Sequence, residues 1–142
     1  MRATGATGGS RMRRANASGG YHHGALRQAL IAAAVAEIGH CGVEALNLRR
    51  LAARVGVTSG APYHHFADRE ALVREIANEG FRRLEHDLIE ARDANPENPG
   101  ARLEALGRAD IGFAIANPGY FRAMFHGDAK ALGPTEPGLR AF

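Results

Sequence analysis

The sequence predicts an all-α fold, with a three-helix helix-turn-helix domain followed by part of a second helical domain. Three observations support this prediction. From residue 24 onward, apolar residues recur at intervals of three and four, which is the spacing of an amphipathic helix. No segment shows the alternation of apolar and polar residues that is typical of a strand. Helix-capping residues precede the later apolar runs, at Asn47, Asp68, Asn98 and Asn117.

This pattern divides the chain into three regions. Residues 1–20 combine arginine with glycine, alanine, serine and threonine and lack an apolar repeat, so they are predicted to be a disordered tail. Met12 is a second candidate for the start of the chain, because no predicted element precedes it. Residues 21–67 form the predicted helix-turn-helix domain. Residues 68–142 form a helical domain that we expect to be incomplete.

The first predicted helix runs from residue 24 to about residue 40. Gly39 and Gly42 bracket its end, where a left-handed residue commonly closes a helix. Its apolar side chains recur every four residues, at Leu26, Leu30, Ala34 and Ile38.

The second and third predicted helices are short and are joined by a tight turn. Asn47 caps the second helix, and Gly56 ends it because glycine accepts the positive φ of such a turn. Val57 fills the angle between the two helices. The third helix is predicted over residues 59–65 with Ser59 as its cap. Pro62 then occupies the third helical position, where its missing N–H would be unpaired in any case.

The fourth predicted helix is the longest. It begins after Asp68 and continues until the Asn-Pro pair at residues 95–96. Arg83 is spaced to pair with both Glu79 and Asp87 on its exposed face.

The fifth and sixth predicted helices each open with an Asn-Pro pair, at residues 98–99 and 117–118. Asparagine caps a helix, and proline suits the first helical position. Their apolar surfaces consist of Leu103, Leu106, Ile111, Phe113 and Ala114, and of Tyr120, Phe121, Met124 and Phe125.

Charge is distributed unevenly between the two halves of the chain. Residues 1–67 contain eight arginines and two glutamates, whereas the remainder contains ten basic and thirteen acidic residues. A basic half joined to a mildly acidic half indicates that the first half meets a polyanion. A chance cluster of solvated arginines is the alternative that charge alone leaves open.

Other bulk properties exclude several classes of protein. The longest apolar stretch, residues 29–36, is far shorter than the roughly 20 residues of a membrane span. The first 20 residues lack the apolar run of a secretory signal, and a single cysteine cannot form a disulfide framework. A cytoplasmic protein is therefore expected.

The segment NLRRLAARVGVTSGAPYHHF, residues 47–66, is typical of two helices that cross steeply and present the second one to DNA. The earlier helix offers the arginines at 49, 50 and 54 to solvent or phosphate. The later helix begins with small residues, which let its end enter a major groove. We expect Tyr63 and His64 to face the groove as hydrogen-bond donors, and His65 and Phe66 to turn back toward the first helix. Arg69 lies near enough to reach the DNA backbone. The predicted DNA-binding residues are Asn47, Arg49, Arg50, Thr58, Ser59, Gly60, Ala61, Tyr63, His64 and Arg69.

Histidine and cysteine suggest other chemistry. The adjacent histidines at 22–23 and 64–65 raise the possibility of a metal site, but neighbours on a helix diverge by about 100°, and no cysteine or carboxylate stands beside them at ligand spacing. Cys41 is interpreted as a small buried residue, with redox sensing as the alternative. No metal ligand or cofactor is predicted.

Two other functions compete with DNA binding. One is an enzyme that uses His86, Asp87, Asp110 and His126, although the sequence contains no nucleophile elbow, phosphate loop or paired-carboxylate signature. The other is a helical interaction module that does not bind DNA, for which the basic first half has no explanation. No catalytic residue is predicted.

Two stretches resemble a known family. GVTSGAPYHHFADREAL, supported by GYHHGALRQAL, resembles the DNA-binding domain of TetR-family regulators over about residues 20–90. FAIANPGYFRAMF resembles the effector domain of the WHG-type branch of that family.

The resemblance implies a homodimeric regulator, usually a repressor, whose helical domain binds a small molecule and then releases a double-stranded DNA operator. Two long C-terminal helices form the dimer in that family, and the 15 residues after Gly127 are too few for them. A monomer or loose dimer is therefore expected for this chain. The aromatic residues of the second domain are either core or effector pocket, and the resemblance assigns an effector role to Phe81, Leu84, Phe113, Phe121 and Phe125.

Overall fold

The computed structural model describes residues 18–127, with side chains from residue 23 onward. This part of the chain contains five α-helices, two 3-10 helices and no strand, which confirms the predicted fold class. The helices are α1 (Ser18–Cys41), α2 (Leu48–Val55), α3 (Arg69–Asp93), α4 (Pro99–Ala116) and α5 (Pro118–Met124). The 3-10 helices are Val43–Ala45 and Ala61–His64.

Helix α1 begins earlier than the sequence predicted. It starts at Ser18 instead of residue 24, so residues 18–20 are helical and the predicted boundary of a disordered tail at residue 20 is wrong. Once the apolar stripe anchors the first turns, each further residue adds one hydrogen bond at little cost, and the helix extends toward the N-terminus. The rest of the predicted tail, residues 1–17, lies outside the described residues. At the other end Gly42 has a φ of 86° and a ψ of 167°, a positive-φ conformation that suits glycine but differs from the left-handed helical conformation that was expected there.

The core lies where α1, α2 and α3 meet. The largest fully buried side chains on these three helices are Leu30, Ile38, Leu51, Leu72 and Ile76. The predicted four-residue stripe of α1 supplies the first two of these side chains, and α2 supplies the third. The 3-10 helix Val43–Ala45, which the sequence did not predict, buries Val43 beside them.

Three of the four predicted asparagine and aspartate caps form as expected. Asn47 accepts hydrogen bonds from the backbone N–H groups of Arg49 and Arg50 at 3.0 and 3.1 Å, and Asp68 and Asn98 each accept one from the residue three positions later. Asn117 departs from the prediction, because its side chain makes no cap bond to α5. Its Nδ2 instead donates to the Phe113 carbonyl at 3.3 Å, and so serves the C-terminus of α4.

Helix α5 joins the two halves of the molecule by packing against both α1 and α3. A Cβ atom on Gly119 would lie 2.1 Å from the Val35 carbonyl oxygen, so only glycine allows this approach of α5 to α1. Arg122 donates to the carbonyls of Ile38 and Gly39 at 3.2 and 3.0 Å. It thus provides hydrogen-bond donors for backbone carbonyls in the last turn of α1, which lack partners within the helix. The position of α1 therefore depends on α5.

Arg83 forms only one of its two predicted ion pairs. Its Nε lies 2.9 Å from Oε1 of Glu79, as expected. The guanidinium also lies 4.5 Å from the centre of the Tyr120 ring on α5, which holds it there instead of beside Asp87.

The described helices include none that could cross a membrane.

Candidate nucleic-acid interface

The segment that the sequence predicted to face a DNA groove is a short 3-10 helix, which corrects the predicted α-helix over residues 59–65. Ser59 is not its cap, since the helix spans Ala61–His64 and Gly60 occupies the position before it. The N–H groups of Ala61 and Tyr63 donate to the carbonyls of Thr58 and Gly60 at 3.0 and 3.1 Å, three residues back in each case. Residues 58–60 are used in the turn, and the buried Phe66 redirects the chain, so too few residues remain for an α-helix to propagate.

This 3-10 helix has a buried side and an exposed side. Pro62 and Phe66 are buried, and they anchor the segment to the core. On the other side Tyr63 is 51% exposed and His64 is exposed too. The small residues before them are also at the surface, Thr58, Ser59 and Gly60 fully and Ala61 partly. The structure therefore brings these predicted DNA-binding residues together on one continuous surface.

Contacts on the inner side hold the segment in place. The His65 ring lies 6.0 Å from the His23 ring of α1, measured between centroids. The Arg27 guanidinium lies 5.2 Å from the centre of the Phe66 ring, and it forms a forked ion pair with Glu75 of α3. Burial is the largest cause that lowers the pKa of His65, followed by His23, Arg27 and His64. Neutral His65 is thus the form that suits this packed position.

The arginines of α2 differ in their partners. Arg50 and Arg54 both contact the carboxylate of Glu37 on α1, at 2.9 Å and 3.6 Å. Arg49 lies at the capped N-terminus of α2 and is exposed. Glu37 was not among the predicted site residues. The sequence did contain a signal for it, because a glutamate three residues after Ala34 lies on the same side of the first helix as the apolar stripe.

Arg69 lies at the start of α3, as predicted. Its guanidinium donates to Oε1 of Glu70 at 2.9 and 2.6 Å and to the Glu44 carbonyl at 3.4 Å. The side-chain carboxylate of Glu44 lies 3.4 Å from Nδ1 of His126, beyond the end of α5. Arg69 is therefore held beside the Val43–Ala45 helix, and its contact with a DNA backbone stays a prediction.

The residues proposed for other chemistry are scattered. His86 contacts Asp87 and Glu90 within α3, whereas His126 contacts Glu44. Within residues 23–127, no three histidine, cysteine, aspartate or glutamate side chains are grouped to hold a metal ion. Cys41 is exposed, so its interpretation as a buried residue is wrong; it belongs to the last turn of α1, which ends at the surface.

Three of the five predicted effector residues form an aromatic cluster. The rings of Phe121 and Phe125 lie 4.8 Å apart, and those of Phe81 and Phe125 lie 6.2 Å apart. Leu84 is half-buried on α3, and Phe113 is buried. Phe125 is more than half exposed. The structure thus brings three of the five residues together at the surface between α3 and α5.

Two surface cavities lie elsewhere in the described part of the chain. One, of about 290 Å³, is lined by Arg92, Asp93, Pro96 and Arg102. The other, of about 210 Å³, lies between α1 and the junction of α4 with α5, beside His40 and Asn117. None of the five predicted effector residues lines either cavity.

Two comparisons with known proteins agree on a family of bacterial regulators. Residues 30–76 match the family model described as bacterial regulatory proteins, tetR family. A curated relative, an uncharacterized HTH-type transcriptional regulator YobS of Bacillus subtilis (strain 168), is 32% identical over 100 residues. That match covers 69% of this chain and 51% of the relative.

A solved structure has the same fold. It is a protein of unknown function from Rhodococcus sp. RHA1, with a TM-score of 0.66 and 35% sequence identity. The match covers 87% of this chain and 63% of that protein. This chain therefore spans about half of the curated relative and less than two thirds of the solved one.

Proposed function

We propose that this chain, which belongs to the tetR family of bacterial regulatory proteins, is a sequence-specific DNA-binding transcriptional regulator. The observation that carries the proposal is the exposed side of the Ala61–His64 helix. Small residues there let the backbone approach a major groove, and Tyr63 and His64 extend from it toward base edges or phosphates. The opposite side of the same segment is anchored in the core through Pro62 and Phe66.

Affinity in this proposal comes from the elements that flank the 3-10 helix. The N-terminus of α2 presents Arg49 to a phosphate, and the start of α3 presents Arg69 to the same backbone. Such contacts position the protein and carry no sequence information, whereas Tyr63 and His64 supply the sequence-dependent part.

Regulation in this proposal follows the family pattern. The chain is a cytoplasmic repressor that releases a palindromic operator when a small molecule binds the second domain, and the homodimer that occupies such an operator is the form that the family resemblance implies. Support for the effector site comes from the cluster of half-buried Phe81 and Phe121 with exposed Phe125. The last two of these residues lie in or next to α5, the helix that also packs against α1.

A DNA-binding experiment tests the proposal. Fluorescence anisotropy is measured with a labelled duplex from the chain's own upstream region, for the parent chain and for the Tyr63→Ala/His64→Ala variant. Each lost contact is expected to weaken binding by about 1 to 3 kcal/mol. Circular dichroism checks that helicity is unchanged, because both side chains lie outside the core.

His86→Ala is the matched control, since it removes an exposed histidine from α3. It is expected to bind the duplex as the parent does. Equal affinity of the parent and the double variant contradicts the assignment of the groove-facing helix.

A further inference from the structure

We propose that Glu37 is a positioning residue for the end of α2 that meets DNA. Its carboxylate holds Arg50 and Arg54 against the body of the protein, so that Arg49 is the α2 arginine that contacts phosphate. This inference rests on the proposed DNA-binding function and assigns different tasks to arginines that the sequence pattern treats alike.

The burial of Glu37 is the first step of the argument. Its side chain is only 7% exposed, although it ends in a carboxylate. A buried carboxylate is strongly unfavourable unless hydrogen bonds and opposite charges compensate for its lost hydration. Arg50 lies 2.9 Å from one of its oxygens and Arg54 lies 3.6 Å from the other, so both sides of the carboxylate are occupied by arginines of α2.

The hydrogen bonds of Arg50 are the second step. Its Nη2 donates to Glu37 and also to the backbone carbonyl of Ala45, two residues before the cap Asn47. This nitrogen carries two hydrogens, so both are used inside the protein. One guanidinium therefore connects α1, the Val43–Ala45 helix and the first turn of α2, and sets the direction in which the capped end of α2 points.

The different state of Arg49 is the third step. Within residues 23–127 no acceptor pairs with its guanidinium, and its backbone N–H is bound by the Asn47 cap. The position of its backbone is therefore fixed by the cap, while the charge of its side chain stays available to a phosphate. A phosphate that approaches α2 meets an Arg49 guanidinium with no partner among residues 23–127, and an Arg50 guanidinium that is already bonded to Glu37 and Ala45.

The test compares Glu37→Gln, Arg49→Gln and Arg50→Gln by anisotropy with a labelled mixed-sequence duplex over a range of salt concentrations. Arg49→Gln is expected to lower the salt slope by about 1, whereas Arg50→Gln leaves the slope unchanged. Glu37→Gln is expected to weaken binding roughly threefold to tenfold, in the range of coupling between residues of one network. In the Arg49→Gln background, Glu37→Gln is expected to have no further effect, because the contact that it positions is already absent.

Glu79→Gln is the matched control. Glu79 is also shared by two arginines, Arg82 and Arg83, but all three lie on the exposed face of α3. The control removes the same charge and is expected to leave DNA affinity unchanged or slightly stronger. All measurements are made under conditions in which circular dichroism shows every variant to be folded. If Glu37→Gln does not fold, Arg50→Gln replaces it in the comparison of affinities, because the Arg50 side chain is exposed.

Three results overturn the proposal. The first is a Glu37→Gln protein with the same DNA affinity as the control. The second is a loss of affinity on Glu37→Gln substitution that is equal in the parent and in the Arg49→Gln background, and the third is an Arg50→Gln protein whose salt slope falls as much as that of Arg49→Gln. Failure of the proposed function has a different signature. There the parent chain shows no DNA binding at low salt while its helicity is intact, and both proposals fall together.

Discussion

The two halves of the described chain bury their apolar residues to different extents. Ten of the eighteen buried apolar residues lie between residues 30 and 66, and four more, Leu72, Val73, Ile76 and Ala77, are the residues of α3 that complete the same core. The second half contributes four of the five exposed large apolar side chains, among them Ile111 at 63% and Ile115 at 76% exposed on α4. The described residues thus complete the core of the first half, whereas one face of α4 has no neighbour among them.

The contrast teaches that helical periodicity and burial are separate properties. Leu51 in α2 and Ile111 in α4 both belong to apolar faces in the sequence, but only Leu51 has helices on every side. Burial stabilises a side chain by the area that it removes from water, and that area depends on the neighbours and not on the residue.

The largest expected difference comes from truncating one apolar residue in each half. Leu51→Ala is expected to lower the free energy of unfolding by about 2 to 5 kcal/mol, because it leaves a cavity in a closed core. Ile111→Ala is expected to change it by less than about 0.5 kcal/mol. Urea unfolding followed by circular dichroism measures both. An equal loss in the two variants means that the α4 face is covered in solution by a surface absent from the described residues.

Glycine substitutions sharpen the comparison at the contact between the halves. Gly119→Ala is expected to destabilise the protein by about 1 to 3 kcal/mol, because the new Cβ meets the Val35 carbonyl at 2.1 Å. Gly107→Ala is the control on exposed α4, where the added Cβ has nothing within 4 Å. It is expected to stabilise the protein by up to about 1 kcal/mol, since alanine favours a helix interior. A Gly119→Ala protein as stable as the parent contradicts the close packing of α5 on α1.

The two asparagine positions before α2 and α5 provide a smaller contrast. Asn47→Ala removes a cap that accepts two N–H groups and is expected to cost about 1 kcal/mol. Asn117→Ala removes only the bond to the Phe113 carbonyl and is expected to cost less, about 0.5 kcal/mol. Thermal unfolding of both variants checks the order, and a reversed order indicates that Asn117 caps α5 in solution.

The smallest expected effect is a difference in pH dependence between the halves. Burial lowers the pKa of His65, so the unfolded chain binds more protons than the folded one. The stability that neutral His65 provides is present above its ordinary pKa of about 6.5 and is lost as the pH falls through the lower folded value. His65→Gln is therefore expected to reduce the loss of Tm between about pH 7.5 and pH 5.5.

The corresponding group in the second half titrates in a more acidic range. Hydrogen bonds from Arg82 and Arg83 lower the pKa of Glu79, so its contribution is present above about pH 4.3 and is lost below that. Glu79→Gln is expected to leave the loss of Tm between about pH 7.5 and pH 5.5 the same as in the parent chain. If it abolishes that change instead, the assignment of the near-neutral effect to His65 is wrong.

Much of the site was predictable from local patterns. The caps Asn47 and Asp68 form because a side-chain oxygen reaches N–H groups two or three residues away, which depends only on the nearby chain. Gly56 takes a φ of 80° for an equally local reason, since it lacks a Cβ. The outward position of Tyr63 and the inward position of Phe66 follow from the spacing of apolar residues around them.

The sequence by itself therefore determined the all-α class, the helix ends that local caps define, and the exposed position of Tyr63 and His64 in the segment predicted to face DNA. Tertiary structure alone decided the short 3-10 form of that segment, the pairing of Glu37 with Arg50 and the exposure of Ile111. These features depend on residues distant in the chain, as Glu37 and Arg50 are brought together only when α1 packs on α2. Local hydrogen bonds can be read from spacing, whereas charge pairing and burial depend on which helices meet, and that is settled only when the whole core assembles.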